Sequence, residues 1–124
     1  MKKELFFVYG TLKKGMNNHS VLKRLKATFI SPVETIEKYP MFKLREPFPY
    51  LQDEKGKGKI IQGELWELDE DCISALDSFE GVPFLYKKGK IAVEFENDVF
   101  EEINVYFKAE EIPLNEIDLI DEWK

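Results

Sequence analysis

Short runs of aromatic and β-branched residues, each ended by a glycine, a proline or a polar turn, recur along this chain of 124 residues. Such runs are typical of buried β-strands. The predicted strands cover residues 5–9, 27–38, 60–68, 91–95 and 99–107, with shorter ones at 41–44 and 50–51. The last two long runs form a predicted hairpin. So many strands need their edges protected, and closure into a small barrel removes the edges.

One segment, residues 69–81, has the periodicity of an amphipathic helix. Asp69 predicts its N-cap, and Gly81 followed by Pro83 predicts its end. Its apolar stripe consists of Cys72, Ile73, Leu76 and Phe79. A shorter helix is predicted over residues 21–25, with an Asn or Ser before it as the cap. Together the elements predict the class α+β: a small, mostly antiparallel β-barrel with flanking helices.

No internal repeat, low-complexity tract or linker divides the chain, which predicts a single domain over residues 1–124. Residues 109–124 form an acidic tail that we expect to pack on this domain, through a short helix after Asn115. Its apolar side chains are Ile112, Leu114, Ile117, Leu119, Ile120 and Trp123. The alternative is a docking segment that exposes these side chains to a partner.

Charge and composition argue against several classes of function. The chain has 24 acidic and 18 basic residues and a net charge of -6, which gives no electrostatic attraction to nucleic acid or to an anionic membrane. No apolar run has the length of a membrane span, and the amino-terminal run is too short for a signal peptide. One cysteine and one histidine cannot form a disulfide or the usual zinc site. We therefore expect a cytoplasmic protein with no metal.

The first candidate functional segment follows the first strand, which ends at Gly10. A strand that turns at a glycine leaves backbone N–H groups unpaired, and such groups can hold a carboxylate or another anion. Lys13 and Lys14 are predicted to add positive charge nearby. The simpler interpretation is an ordinary turn, which spacing alone favours. His19 is predicted to bond the backbone of a loop rather than to act as a ligand, and Cys72 to be a core residue.

The second candidate is Glu80, in the last turn of the apolar helix. Burial and the negative end of the helix dipole both disfavour a carboxylate there. Both effects raise the pKa, which suits a general acid and base. The alternative is a solvated glutamate, which is the commoner case in an acidic protein.

Four short motifs, in this order, resemble those of the γ-glutamylcyclotransferase-like family, and among its members the γ-glutamylamine cyclotransferases. They are Phe7-Val8-Tyr9-Gly10-Thr11-Leu12-Lys13-Lys14-Gly15 with Asn18-His19 after it, Tyr39-Pro40, Gly63-Glu64-Leu65-Trp66, and Leu76-Asp77 with Phe79-Glu80, Pro83 and Tyr86. The resemblance covers residues 6 to about 93 and implies the fold of that family, a small β-barrel with a pocket at the 9–12 loop.

The resemblance also implies a reaction, in which the α-amino group of a γ-glutamyl substrate attacks its own γ-carbonyl. 5-Oxoproline forms and an amine leaves. The residues that it places in substrate binding are Tyr9, Gly10, Thr11, Leu12 and Tyr86. Glu80 is implied to be the general acid and base, and no cofactor or metal is called for.

Two departures from the family pattern, Gly81 directly after Glu80 and Trp66 in the third motif, leave the leaving amine open. The substrate is then a γ-glutamylamine or another γ-glutamyl compound. The alternative from a different class is a module that binds a small carboxylate without converting it. The sequence does not predict the oligomeric state.

Overall fold

The computed structural model describes residues 2–115 and 117–124. In chain order its elements are β1 (Lys3–Val8), α1 (His19–Arg24), β2 (Thr28–Tyr39), β3 (Met41–Lys43), β4 (Pro49–Leu51), β5 (Lys59–Asp69), α2 (Glu70–Glu80), β6 (Tyr86–Phe95) and β7 (Asp98–Lys108). Strands β1, β5, β2, β6 and β7 close in that order into a barrel, and β3 pairs with β4 in a separate hairpin. The predicted α+β class and barrel are confirmed.

Pairing in the barrel is antiparallel except at one seam. β5 pairs with β1 and β2, and β6 pairs with β2 and β7, all antiparallel. The barrel closes where β1 meets β7 in parallel, at the pair Phe6 and Asn104. The main sheet therefore has no free edge, as the number of strands predicted.

Strand β1 separates two apolar cores, because successive side chains of a strand point to opposite faces. Phe7 packs in a cluster to which all five barrel strands contribute, so this cluster is the barrel interior. Phe6 and Val8 pack in a second cluster, which contains buried residues of both helices. The helices thus cover the outside of the barrel beside β1, and the end of β1 lies next to α2.

Pro32 lies in β2 directly after a bulge. β2 lies between β5 and β6 in the closed barrel, so it has no edge. Its pairing with β5 shifts register between Phe29 and Ser31, directly before the proline. In the predicted hairpin β6–β7 the turn residues Glu96 and Asn97 both have positive φ, which suits a tight turn.

Each helix follows directly after a residue that was predicted as its N-cap, but neither cap side chain forms a capping hydrogen bond. Asp69 precedes α2 and Asn18 precedes α1, each without a side-chain capping hydrogen bond. α2 ends at Gly81, whose φ of 69° is the left-handed conformation that glycine adopts readily. The end of α2, and with it the position of Glu80, is therefore fixed by Gly81.

The described part of the tail lies against the barrel and its helices. Ile112, Leu114, Ile117 and Leu119 pack against the outer core, and Ile120 packs against the interior cluster. The Gln62 N–H donates to the Asp121 carbonyl at 2.8 Å. These contacts remove the reason for a docking segment. The helix expected after Asn115 is absent from residues 109–115 and 117–124.

Candidate active site

A cavity of about 170 Å³ lies where β1, the following loop, α2 and the start of β6 meet. Its lining residues are Phe6, Phe7, Val8, Tyr9, Gly10, Thr11, Leu12, Asn18, Phe48, Pro49, Leu76, Phe79, Glu80, Leu85, Tyr86 and Tyr106. All six residues singled out from the sequence, five for binding and Glu80 for proton transfer, are among them. The structure thus brings two distant segments of the chain to one cavity.

The 9–12 loop begins where β1 ends and forms a turn that leaves backbone donors free. The Lys13 N–H donates to the Gly10 carbonyl at 3.1 Å. Within the described residues the N–H groups of Thr11 and Leu12 donate to no backbone carbonyl. Gly10 is required by close packing, since a Cβ there would lie 3.0 Å from Cγ of Pro49. The loop therefore offers two backbone donors beside the cavity.

Residues at the start of α1 hold this loop in place. The Asn18 amide nitrogen donates to Oγ1 of Thr11 at 3.0 Å, and its backbone N–H donates to the Thr11 carbonyl at 2.9 Å. Nδ1 of His19 lies 2.9 Å from the Leu12 carbonyl, so Nδ1 carries the proton. The prediction that His19 bonds a loop backbone is confirmed. Asn18 holds the loop with the side chain that was expected to cap the helix.

The two lysines that follow the loop direct their ammonium groups to partners outside the cavity. Lys13 is buried, and its ammonium donates to the Trp123 carbonyl at 2.7 Å. The Lys14 ammonium lies 3.5 Å from the ring centre of Phe29. Neither residue lines the cavity. An anion at this loop would depend on backbone N–H groups rather than on a lysine.

Glu80 is the last residue of α2, partly buried at the cavity wall. Desolvation raises the pKa of its carboxyl group from 4.5 to about 7. Leu76, one turn earlier in the helix, lines the same cavity and contributes to the apolar surroundings. A carboxyl group with this pKa exchanges its proton near neutral pH, so it can both accept and donate one.

Three tyrosine side chains complete the cavity wall. The Tyr9 hydroxyl donates to the Tyr106 carbonyl at 2.5 Å, and the Tyr86 hydroxyl donates to the Pro49 carbonyl at 3.3 Å. Burial raises the pKa of Tyr9 and of Tyr86, and the charge of Glu80 raises both further. These hydroxyl groups stay protonated and act as neutral hydrogen-bond donors.

A hydrogen-bond network behind the cavity was not predicted. The Tyr106 hydroxyl donates to Oδ1 of Asp77 at 2.6 Å, and the Lys88 ammonium lies 3.0 Å from Oδ2 of Asp77. Asp77 precedes Glu80 by almost one helical turn, so this network fixes the end of α2. Asp77 was visible in the fourth motif, but its partner Tyr106 lies 29 residues away.

The apolar stripe of α2 was predicted correctly except at Phe79. Ile73 and Leu76 are buried, and the Cys72 thiol donates to the Leu25 carbonyl at 3.4 Å at the edge of the core, as expected of a core cysteine. Phe79 is 45% exposed and lines the cavity. It therefore lies at the candidate site rather than in the core.

No group of three or more His, Cys, Asp and Glu residues in the described part of the chain can hold a metal ion. Within residues 2–115 and 117–124, no helix is long and apolar enough to cross a membrane.

Comparison with known proteins places the chain in a family. The family model described as "Gamma-glutamyl cyclotransferase, AIG2-like" matches residues 6–124. The chain is 38% identical over 98 residues to the gamma-glutamylaminecyclotransferase of Homo sapiens, an alignment that covers 76% of this chain and 64% of that protein. It is 36% identical over 111 residues to gamma-glutamylaminecyclotransferase C of Danio rerio, covering 82% and 73% respectively. The chain thus spans less than two thirds of the human relative.

Solved structures agree on the fold. The crystal structure of an AIG2-like protein from Mus musculus superposes with a TM-score of 0.91 at 28% identity, covering 100% of this chain and 90% of that chain. With the match over residues 6–124, these findings show that the chain belongs to the gamma-glutamyl cyclotransferase, AIG2-like family.

Proposed function

We propose that this chain is a γ-glutamyl cyclotransferase that releases 5-oxoproline and a free amine from a γ-glutamylamine or a related γ-glutamyl compound. The observation that carries the proposal is the position of Glu80. A carboxyl group with a pKa of about 7 lines the same cavity as a loop with free backbone N–H groups. Two relatives with the name gamma-glutamylaminecyclotransferase support the reaction class.

Binding begins at the loop. The N–H groups of Thr11 and Leu12 donate to the α-carboxylate of the glutamyl group, with Tyr9 and Gly10 shaping the wall beside it. Because nucleophile and electrophile belong to one substrate molecule, holding the glutamyl chain bent supplies much of the rate. No nucleophilic side chain is needed for this chemistry.

Proton transfer is the task left to Glu80. Its carboxylate removes a proton from the α-ammonium group, and the α-nitrogen then attacks the γ-carbonyl carbon. When the resulting C–O⁻ intermediate collapses, the bond to the leaving nitrogen breaks and Glu80 returns the proton to that nitrogen. The second proton lost by the α-nitrogen also ends on the amine, which leaves as an ammonium ion, and no water is consumed. A carboxyl group that titrates near neutral pH suits both transfers.

The oxyanion of the intermediate needs a neutral donor close to the γ-carbonyl. The Tyr86 hydroxyl is protonated, and its bond to the Pro49 carbonyl is long at 3.3 Å. Rotation of this hydroxyl toward the substrate costs little and provides the donor.

The test is release of 5-oxoproline from γ-glutamyl-ε-lysine, γ-glutamyl dipeptides and glutathione. We expect wild type to convert at least one of them and Glu80→Gln to lose about a hundredfold or more in kcat. Glu70→Gln is the matched control, because it makes the same change at an exposed position in the first turn of the same helix. It is expected to keep its activity.

Two results would contradict the proposal: full activity in folded Glu80→Gln, or no product from any compound. In the second case calorimetry with glutamate and 5-oxoproline decides the alternative. Binding without conversion would identify a carboxylate-binding module that uses only the loop.

A further inference from the structure

Three apolar side chains, Phe48, Phe79 and Leu85, line the cavity where it opens to solvent; we call them the collar. We propose that the collar binds the leaving amine and selects γ-glutamyl derivatives of amines with alkyl or aralkyl chains that carry no carboxylate. The inference rests on the proposed function and goes beyond it, because it names the class of the leaving group.

Exposure identifies the collar as the mouth of the cavity. Phe79 is 45% exposed and Leu85 is 52% exposed, although both line the cavity. Phe48 is partly buried, and its ring packs edge-on against Tyr50 at 5.4 Å. Large apolar side chains exposed together at a cavity mark a binding surface, since water solvates them poorly. An apolar ligand would cover them.

The collar is held in place before any ligand binds. The Leu85 N–H donates to the Gly81 carbonyl at 2.8 Å, and the Ala109 N–H donates to the Leu85 carbonyl at 3.2 Å. A Cβ at Gly81 would lie 3.0 Å from Cβ of Leu85, so the glycine lets Leu85 pack closely over the end of α2. Binding therefore requires little ordering of this surface, which favours affinity.

The order of groups along the cavity places the leaving amine at the collar. The glutamyl carboxylate is proposed to bind the loop, and Glu80 must reach the scissile nitrogen. Phe79 and Glu80 line the same cavity, and Phe79 is exposed whereas Glu80 is partly buried, so a substituent on that nitrogen extends outward from Glu80 toward the phenyl ring. The collar residues are then the first surface that the leaving chain contacts.

Charge explains why the leaving chain should carry no carboxylate. Among the described residues that line the cavity, Glu80 alone carries a charge. The ammonium groups of Lys13 and Lys14 are engaged with Trp123 and Phe29, away from it. The Lys108 ammonium, 5.4 Å from the ring centre of Tyr50, donates to the Glu110 carbonyl at 2.7 Å. Because no cationic side chain is among the described residues that line the cavity, a carboxylate on the leaving chain would lose hydration against the collar without an ion-pair partner there, which is unfavourable.

The test compares γ-glutamyl methylamide, propylamide and hexylamide with γ-glutamyl-6-aminohexanoate and γ-glutamyl-ε-lysine. We expect kcat/KM to rise by up to about fourfold for each methylene that the collar removes from water. The hexylamide should exceed the 6-aminohexanoate derivative, whose chain is equally long but ends in a carboxylate. The value of kcat/KM for hexylamide divided by the value for methylamide measures the preference for a long chain. Phe79→Ser should lower this ratio by about tenfold.

Phe84→Ser is the matched control, because Phe84 is 91% exposed, lies in the turn directly after α2 and does not line the cavity. It should keep the wild-type ratio, and thermal denaturation checks that both variants are folded. If wild type releases 5-oxoproline from methylamide and hexylamide at equal kcat/KM, the proposal for the collar is wrong and the proposed function stands. The same conclusion follows if Phe79→Ser and Phe84→Ser lower the hexylamide-to-methylamide ratio of kcat/KM equally. No 5-oxoproline from any of the five compounds, with product from a γ-glutamyl dipeptide or glutathione, would overturn the collar alone. No product from any of these compounds would overturn the proposed function as well.

Discussion

At the scale of single residues, the chemistry of Glu80 depends on where its helix ends. As the last residue of α2 it lies at the negative end of the helix dipole, and its neighbours Leu76 and Phe79 line the same cavity. Desolvation then raises its pKa to about 7. Glu70, in the first turn of the same helix, is exposed and lies at the opposite end of the helix dipole. Position in the helix, rather than residue type, distinguishes the two.

This pKa links the stability of the protein to pH. The unfolded chain loses the Glu80 proton near pH 4.5, whereas the folded protein holds it to about pH 7. Wild type therefore loses stability as the pH rises from about 4.5 to about 7. Gln does not titrate, so the difference in free energy of unfolding between Glu80→Gln and wild type should change with pH. We expect this difference to shift in favour of the variant by about 1–3 kcal/mol between pH 4 and pH 8. Urea denaturation at both values measures this, and an equal difference at both would show that Glu80 titrates as an ordinary glutamate.

Single residues also show where sequence reasoning stops. Gly10 was expected to serve a turn, and its position next to the Pro49 ring could not be seen, because the two residues are far apart in the chain. Asn18 was expected as a cap, yet its amide holds Thr11 of the loop. Local patterns identify such residues, but tertiary contacts decide which partner a polar side chain takes.

At the scale of elements, local chemistry predicted α2 to within a residue at each end. The predicted segment 69–81 contains Glu70–Glu80, with Asp69 before it and Gly81 after it. Periodicity predicted the buried face at Ile73 and Leu76, but not the exposure of Phe79. Periodicity shows which residues share a face, whereas the elements that cover each turn of that face depend on the fold.

The glycine at the end of α2 is open to test. In Gly81→Ala the new Cβ meets a positive φ of 69° and lies 3.0 Å from Cβ of Leu85. We expect a loss of about 1–2 kcal/mol in the free energy of unfolding. Ser74→Ala, at an exposed position inside the same helix, is the control and should change stability by less than about 0.5 kcal/mol. Equal stability of wild type and Gly81→Ala would show that the turn relaxes freely.

At the scale of the whole molecule, the number and type of strands predicted the barrel, because an open sheet of this size would leave edges exposed. The arrangement of the tail was harder to predict. Its backbone at Ile112 is bonded by the buried Gln52, whose Nε2 donates to the Ile112 carbonyl and whose Oε1 accepts from the Ile112 N–H, both at 2.9 Å. These partners lie 60 residues apart, so no local pattern shows the contact.

This pair of bonds predicts a large effect for a substitution of similar volume. Gln52→Met leaves the Ile112 N–H and carbonyl without these partners, and we expect it to lower the free energy of unfolding by about 2–4 kcal/mol. The control is Asp53→Asn, since Asp53 is exposed and its contact with Lys87 is 4.0 Å long. It should cost less than about 1 kcal/mol. Chemical denaturation measures both, and a loss below 1 kcal/mol for Gln52→Met would show that the tail is not held by this side chain.

The central claim is that a carboxyl group with a raised pKa transfers protons in this cavity. Its most direct test is the pH dependence of kcat/KM for release of 5-oxoproline, measured with the best γ-glutamyl substrate. We predict a rising limb with a midpoint near pH 7, where Glu80 becomes the carboxylate that accepts the substrate proton, and loss of that activity in Glu80→Gln. A rising limb with its midpoint near pH 4.5, or a Glu80→Gln variant whose kcat/KM depends on pH as in wild type, would contradict the account.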